Sequence, residues 1–382
     1  MRARTTMWIC SAIRSRLMEV LVFLLPFFVS AFLLIFFREQ TTWWEHAVLI
    51  VPSLLVGVGL LWTFKRAESS DTEYLGSYVT KIRYYEPWNE RVAHTRTYTD
   101  SKGNTHTETY YVTEEHSEKW AYSDHSGRER DCSSDVFSAM KERLAASPVF
   151  VDMHRIYYTR DGDAYDYPWD GRDVTLYPVT REHEYENKVK ASRSVFKFED
   201  ISKEDARRIG LYDYPEIWLR DQCPILGAKF SARQERAVRV LNARYGPQKQ
   251  FRLYLLFFRD KPISIVEKQR SYWQGGNKNE LVVCVGLDRN NRVMWSDAFS
   301  WCDSPVLAVK SRDWFMSNRL DLCAFVSYIE PIVQKEWKRK DFSDFKYVSV
   351  ELSDGQYWAI VFLMLLLNVG LSVWIVGNNY RN

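Results

Sequence analysis

Long uncharged stretches lie near both ends of this chain, on either side of one large polar segment. Val20–Phe37 and Ala47–Phe64 lack charged residues over about 18 positions each, and Tyr357–Gly377 over about 21, where a helix needs roughly 20 apolar residues to cross a bilayer. The pattern predicts three transmembrane helices, two joined as an N-terminal hairpin and one near the C-terminus. The alternative for the first stretch, a signal peptide, is disfavoured because no Ala-x-Ala-like cleavage site precedes Arg38.

Charged residues flank these stretches unevenly, and basic residues stay on the cytoplasmic side of a membrane. The short link Arg38–His46 sets a single arginine against Glu39 and Glu45. We therefore expect a cytoplasmic N-terminus, a cytoplasmic polar segment and an external C-terminus, in a bacterial inner membrane. The basic residues behind this expectation are Arg2, Arg4, Arg14 and Arg16 before the first stretch, Lys65 and Arg66 after the second, and Lys335, Lys338, Arg339, Lys340 and Lys346 before the third.

The first half of the polar segment, 67–198, is rich in Tyr, Thr and Val that alternate with polar residues, as in half-buried strands. Arg91–Thr99 and Thr105–Thr113 predict a β-hairpin, because the residues 100–104 between them include the Gly and Asn that tight turns use. Ser133-Ser134-Asp135 can cap one short helix that runs through Phe137, Met140 and Leu144 and ends before Pro148. This half is expected to be a mostly antiparallel β domain.

The second half, 199–346, changes to helical periods mixed with buried strands. Ser231–Tyr245 reads as an amphipathic helix that stops at Gly246-Pro247. The order α-β-α-β-β-α predicts an α/β layer and, for the chain as a whole, the α+β class. The remaining predicted elements are strand Phe251–Phe258, helix Ile263–Trp273, strands Leu281–Leu287 and Arg292–Trp301, and helix Leu322–Trp337. The predicted domains are a basic tail at 1–16, the transmembrane hairpin at 17–64, the two halves at 67–198 and 199–346, and the last span at 357–377.

Part of the second half resembles a known family. The loop and strand from Gly275 to Asp288, preceded by helix, strand and helix, are similar to the TPM domain, an α/β module of membrane-anchored proteins. The resemblance covers about residues 231–340. It implies phosphatase or metal-binding activity, but family members with such activity keep paired acidic residues after this strand. Here Asp288 is followed by Arg289, and Ser296–Trp301 replaces the usual Gly-Tyr-Gly.

The resemblance also supplies the candidate site residues. Asp288 and Asp297 are the catalytic candidates for hydrolysis of a phosphate ester. Backbone N–H groups of a glycine turn with a nearby lysine can hold a phosphate, although the P-loop spacing is missing. The alternative is a plain connecting loop between helix and strand. The candidate binding residues are Gly275, Gly276, Asn277, Lys278 and Asn279.

The histidines and cysteines of the polar segment do not have the spacing of a metal site. No HxH, HxxxH or HExxH motif and no CxxC pair occurs. We therefore expect no metal site, and we expect reduced cysteines. The histidines are His94, His106, His116, His125, His154 and His183, and the cysteines are Cys132, Cys223, Cys284, Cys302 and Cys323.

These observations favour binding over catalysis. The expected function is a membrane-anchored binding or scaffold module, with the lipid bilayer and a protein partner or second copy of the chain as its partners. The net charge of +3, from 52 basic and 49 acidic residues, gives no field that would recruit nucleic acid. A membrane-tethered phosphate-ester hydrolase is the alternative, its cofactor unspecified. A transporter fits poorly, since the spans lack charge and Asn368 is best read as a helix–helix contact.

Overall fold

The computed structural model describes residues 2–191, 198–215, 224–302, 305–341, 345, 348 and 350–378, with side chains from Arg16 onward except that of Lys190. The chain forms two compact units. The membrane unit comprises Met1–Thr72, Glu184–Glu199 and Asp341–Asn382, and the sheet unit comprises Glu73–His183 and Asp200–Lys340. The two halves predicted at 67–198 and 199–346 thus contribute most of their residues to one unit.

Most strands of the described chain come in runs, and the longest alternation of helices and strands covers residues 203–287. The helices are α1 (Arg2–Phe36), α2 (Trp43–Ser69), α3 (Ser134–Leu144), α4 (Lys188–Ala191), α5 (Lys203–Ile209), α6 (Ala232–Lys249), α7 (Ile265–Tyr272), α8 (Val306–Ser317), α9 (Leu322–Glu336) and α10 (Asp354–Asn378). The strands are β1 (Ser70–Tyr85), β2 (Trp88–Thr99), β3 (Thr105–His116), β4 (Lys119–Asp124), β5 (Glu129–Cys132), β6 (Val149–Val151), β7 (Ala164–Pro168), β8 (Pro178–Glu186), β9 (Ile225–Leu226), β10 (Arg252–Arg259), β11 (Glu280–Leu287) and β12 (Val293–Ser300).

The membrane unit is built from α1, α2 and α10, which are long and apolar enough to cross a membrane. This confirms three helices of the predicted length and apolar character, although α1 begins at Arg2, so the described part of the predicted basic tail is helical. Val22, Leu61, Ile360 and Met364 pack between the helices. Asn368 accepts a hydrogen bond from Ser53 Oγ at 3.1 Å, so this amide joins α10 to α2 as expected.

The first sheet of the sheet unit is antiparallel, with strand order β5-β4-β1-β7-β6 and β8 also paired to β1. Its buried residues follow from the register: Ile82 lies opposite Tyr122 on one side and Tyr167 on the other. Helix α3 covers this face with Phe137 and Met140. The predicted β-rich half with one short helix is therefore present.

The second sheet has the order β12-β11-β10-β9, with β9, β10 and β11 parallel and β12 antiparallel. Side chains of β10 alternate between two apolar clusters: Leu253 and Leu255 face α6, α8 and α9, and Tyr254 and Leu256 face α5 and α7. Helices on both faces explain why β10 and β11 read as continuous apolar runs. This is the α/β layer that the sequence predicts.

Two predictions about these helices are wrong. Helix α6 does not stop at Gly246-Pro247 but continues to Lys249, because close tertiary packing at Gly246 holds this turn of the helix in place. The predicted order is also incomplete, because it lacks helices α5 and α8 and the short strand β9. The N-cap of α8, Pro305, supplies no side-chain hydrogen bond, and Leu307, Trp314 and Phe315 instead fix this helix by packing into the core.

A close backbone contact joins the two sheets of the sheet unit. A Cβ added to Gly76 of β1 would lie 2.1 Å from the carbonyl oxygen of Asn242, and one added to Gly246 would lie 2.0 Å from the carbonyl oxygen of Gly76. Asn242 in turn exchanges hydrogen bonds with the backbone of Leu253, at 3.0 Å and 2.7 Å. Strand β1 therefore reaches β10 through α6, and only glycine fits at the contact.

A buried ionic cluster lies where the chain enters and leaves the sheet unit. The side chain of Glu73 is 0% exposed and forms ion pairs with Arg339 and with His183, the latter at 2.7 Å. Arg339 also donates to Gln250. One carboxylate therefore links three segments that are far apart in sequence.

We expect Gly76→Ala to lower the free energy of unfolding of the sheet unit by about 1–3 kcal/mol, since backbone atoms block the added methyl group. Gly355→Ala is the matched control, because no atom lies within 4 Å of its added Cβ. Thermal unfolding followed by near-ultraviolet circular dichroism measures both. Equal transitions for the two variants would contradict the close contact.

Glu73→Gln should destabilise the protein by about 3 kcal/mol, because it leaves the Arg339 guanidinium, 16% exposed, without its countercharge. Asp131→Asn removes an exposed ion pair, in which the Lys119 side chain is 51% exposed and the Asp131 side chain 70%. It should lower the free energy of unfolding by less than about 1 kcal/mol. Denaturant unfolding of the purified protein compares them. A Glu73→Gln protein as stable as the Asp131→Asn protein would show that the cluster does not hold the fold.

Candidate functional site

The β2–β3 hairpin projects from the sheet unit as a separate two-stranded sheet. Its strands pair over their whole length, from Thr99 opposite Thr105 to Trp88 opposite His116. In the described chain, an isolated bridge between Asn89 and Arg160 near its base pairs it with the rest of the sheet unit. Beyond that bridge, Arg91 lies 5.9 Å from the ring centre of Tyr158, and most of the other side chains are exposed.

The turn of the hairpin is held by its own side chains. Asp100 accepts hydrogen bonds from the backbone N–H groups of Lys102 and Asn104, both at 2.9 Å. Gly103 has φ +83°, the left-handed conformation that the predicted turn requires. His106 Nε2 lies 2.9 Å from Asp100 Oδ2. The predicted hairpin is confirmed, and this turn sets which residues lie opposite each other.

The register divides the side chains between two faces of different chemistry. One face, called the threonine face, carries Arg91, Ala93, Thr95, Thr97 and Thr99 of β2 and Thr105, Thr107, Thr109, Tyr111 and Thr113 of β3. The other, called the histidine face, carries Trp88, Glu90, Val92, His94, Arg96 and Tyr98 of β2 and His106, Glu108, Tyr110, Val112, Glu114 and His116 of β3. All the histidines of the hairpin therefore share one face.

Each of these histidines stacks on an aromatic ring of the opposite strand. The ring centroids are 4.3 Å apart for Trp88 and His116, 5.6 Å for His94 and Tyr110, and 5.5 Å for Tyr98 and His106. Such cross-strand pairs stabilise a sheet by roughly 0.2–1 kcal/mol each. They therefore order side chains that are otherwise open to solvent.

Carboxylates accompany the same histidines. His116 Nε2 lies 3.1 Å from Glu90 Oε1, and His94 Nε2 lies 3.4 Å from Glu114 Oε1. Glu90 and Glu114 are direct cross-strand partners. Ligand atoms of Glu90, Glu114 and His116 all lie within 4.8 Å of one another, an arrangement that could hold a metal ion.

The sequence pattern did not indicate this convergence. The predicted hairpin ended at Arg91 and Thr113, one pair short of Glu90 and Glu114, and the metal-ligand motifs absent from the sequence all have fixed spacings within one segment. The sequence does contain a signal for the pairing of residues 90 and 114. The predicted turn places them opposite each other once each strand is extended by one residue. Cross-strand ligands have no fixed sequence spacing, so a motif search does not find them.

An open groove of about 680 Å³ lies at the base of the hairpin. Trp88 and His116 line it together with Tyr85, Lys119 and Arg155. The Arg155 guanidinium lies 4.6 Å from the indole centre of Trp88 and 5.6 Å from the ring centre of Tyr85. Flat aromatic rings beside cationic side chains provide contact area with little conformational entropy to lose.

The predicted binding loop is a buried junction. The N–H groups of Gly275, Gly276 and Asn277 donate to the Arg270 carbonyl, the Trp273 carbonyl and the Glu280 carboxylate, at 2.8–2.9 Å. Lys278 is half-buried, and Asn279 is 0% exposed and donates to the Tyr74 carbonyl at 2.7 Å. These contacts favour the alternative of a connecting loop over a phosphate cradle.

The Glu280 carboxylate organises this junction. It accepts hydrogen bonds from Tyr214 and from the Asn277 side chain, the latter at 3.1 Å. Burial raises the pKa of Tyr214 well above its usual value, and the neighbouring Glu280 charge raises it further. The phenol therefore stays protonated and serves as a donor to the carboxylate.

The catalytic candidates Asp288 and Asp297 are not brought together. Asp297 pairs with Cys284, four residues before Asp288, which places the two positions roughly 13 Å apart along the strand. The Asp288 carboxylate accepts from the N–H groups of Asn290 and Arg292, at 2.8 and 2.7 Å, and so closes the β11–β12 turn. This geometry does not form a two-carboxylate site.

An open groove of about 690 Å³ lies beside Asp288, where β10 and β11 end. Lys229, Arg259 and Leu287 line it, and Arg259 donates to Asn291 at 2.8 Å. The carboxyl end of parallel strands is a common ligand position. No carboxylate is among the residues that line this groove in the described chain.

The described cysteines of the sheet unit do not form disulfides with one another: Cys132, Cys284, Cys302 and Cys323. Cys223 lies outside the described residues. Cys284 is fully buried, and burial raises the pKa of its thiol well above the ordinary value. It therefore behaves as an apolar core residue.

The His106 interaction makes a prediction about pH. Hydrogen bonds lower the pKa of Asp100 from 3.8 to about 2. The bond with His106 has the largest effect, and the bond from the Asn104 N–H has the second largest. Because the folded-state pKa is the lower one, the contribution of this carboxylate to stability is full above the unfolded-state pKa and is lost as the pH falls through about 2. His106→Ala should raise the pKa of Asp100, measured by carboxyl ¹³C NMR.

Asp170 provides the internal control for that titration. Hydrogen bonds from Thr175 and Arg172 lower its pKa to about 2 as well, and neither involves His106. Its titration should be unchanged in the His106→Ala protein. An Asp100 titration that is also unchanged would show that His106 does not hold the turn.

Comparisons of this chain with protein-family models, with curated proteins and with solved structures found no match. The TPM resemblance over residues 231–340 therefore remains a prediction from the sequence. The geometry of the β2–β3 hairpin and of the groove at its base is the structural basis for assigning a function.

Proposed function

We propose that the protein is a membrane-anchored binding module that engages a protein partner through the β2–β3 hairpin. The observation that carries this proposal is the hairpin itself, a two-stranded sheet exposed on both faces. Isolated two-stranded hairpins are at best marginally stable in water. A partner that covers one face or pairs with an edge would add the contacts that the hairpin lacks.

The exposed side chains fit a protein interface. Tyr98, Tyr110 and Tyr111 are 49%, 43% and 58% exposed, and tyrosine is enriched at such interfaces because it combines apolar area with a polar group. Arg91 lies 4.5 Å from the ring centre of Tyr111 on the threonine face. The hairpin therefore offers ordered aromatic anchors on both faces.

Binding is better supported than hydrolysis. The phosphate-ester hydrolase needs paired acidic residues, and the separation of Asp288 and Asp297 argues against that pair. The partner is proposed to be a second protein that approaches from the cytoplasmic side of a bacterial inner membrane, as the basic flanking residues suggest. A second copy of the chain is the competing partner.

Site-specific photo-crosslinking in native membranes tests this proposal. A photoreactive amino acid at position 98, 110 or 111 should give a discrete adduct, because these side chains would lie in the interface. Met316 on α8 is the matched control, since it is 53% exposed and lies outside the hairpin, and it should give no such adduct. An adduct of twice the chain mass would identify a second copy as the partner. Absence of adducts at all the hairpin positions, or the same adducts from position 316, would contradict the proposal.

A further inference from the structure

We propose that Glu90, Glu114 and His116 on the histidine face form a binding site for a divalent transition-metal ion, with Zn²⁺ as the ion that best suits the ligands. Their ligand atoms lie within 4.8 Å of one another. Small rotations of partly exposed side chains would bring them to metal-bond distances of roughly 2.0–2.2 Å. This inference rests on the cluster alone and does not depend on the docking role of the hairpin.

Electrostatics gives an independent reason for a cation here. Glu90 and Glu114 lie directly opposite each other on adjacent strands, and like charges in that position destabilise a sheet. Nearby cationic side chains are engaged elsewhere: Lys119 pairs with Asp131 at 2.9 Å, Arg155 donates to the Gly162 carbonyl at 2.7 Å, and Arg91 lies on the threonine face. A divalent cation would turn this repulsion into attraction.

The ligand set selects the kind of metal. Neutral imidazole is a common ligand of transition metals, whereas Mg²⁺ and Ca²⁺ prefer oxygen ligands only. One imidazole and two carboxylates are a known set for Zn²⁺, and three protein ligands leave a fourth position open to water or to a ligand from another molecule. The site is therefore expected to prefer Zn²⁺ to Mg²⁺.

Neighbouring side chains position these ligands. The Trp88 ring stacks on His116 with an interplanar angle of 14° and so restricts the rotation of the imidazole. His94 lies 3.4 Å from the Glu114 carboxylate and can orient it. Outer partners of this kind commonly raise metal affinity by roughly 10–100-fold.

The test is a titration of the full-length protein in lipid nanodiscs, with affinity tags removed and metal stripped by a chelator that is then washed out. Isothermal titration with ZnCl₂ should show one ion bound per chain. His116→Ala and Glu114→Gln should each weaken this binding by about 100-fold or more. Each variant removes a direct ligand, and the loss of an outer partner alone weakens metal binding by up to roughly 100-fold. MgCl₂ should not compete.

A matched variant separates this site from general surface binding. Glu108→Gln removes a carboxylate from the same strand and face. It should bind Zn²⁺ as the unchanged protein does. Three results would overturn the proposal. The first is Zn²⁺ binding that survives His116→Ala, as binding to the cysteine thiols would. The others are binding that falls equally in Glu108→Gln, and a protein that binds no Zn²⁺.

Discussion

The register of the β2–β3 hairpin is the constraint on which the functional part of this structure depends. Side chains alternate between the faces of a strand, so a slip of one residue would exchange the two faces on either strand. The turn prevents this slip because the Asp100 carboxylate holds the N–H groups of Lys102 and Asn104. His106 fixes that carboxylate from the histidine face. The same register that stacks histidines on aromatic rings also sets Glu90 against Glu114.

The hairpin can stay exposed because the sheet unit does not need it for its core. The two larger sheets are tied to each other through the contact between Gly76 and Gly246, and the Glu73 carboxylate links the entering and leaving segments of the chain. The hairpin lies outside the apolar clusters of both sheets in the described chain. Its surface is therefore available to meet a partner or a metal ion without a change in the fold.

Local signals in the sequence predicted the three long apolar helices, the hairpin and strands β10, β11 and β12, because each depends on a nearby apolar period or turn. Prediction failed where distant residues decide the outcome. Helix α6 passes Gly246-Pro247 because Gly76 packs there, and α8 depends on the core contacts of Trp314 and Phe315. The Gly275–Asn279 loop was a candidate phosphate site with a plain connecting loop as the alternative, and its contacts with Glu280 and the carbonyl of Tyr74 favour the connecting loop. The Glu90–Glu114 pair was within reach, since it needed only an extension of the predicted hairpin.

The central claim is that this hairpin is a docking element. Amide hydrogen exchange of β2 and β3 tests this claim most directly. The exchange rates would be compared between the protein in native membranes and the same protein purified into nanodiscs, with β10 and β11 as buried internal references. Slower exchange of the hairpin amides in native membranes, with unchanged rates in β10 and β11, is the predicted result. Equal rates for the hairpin in both preparations would contradict the claim, since the hairpin would then have no partner in its own membrane.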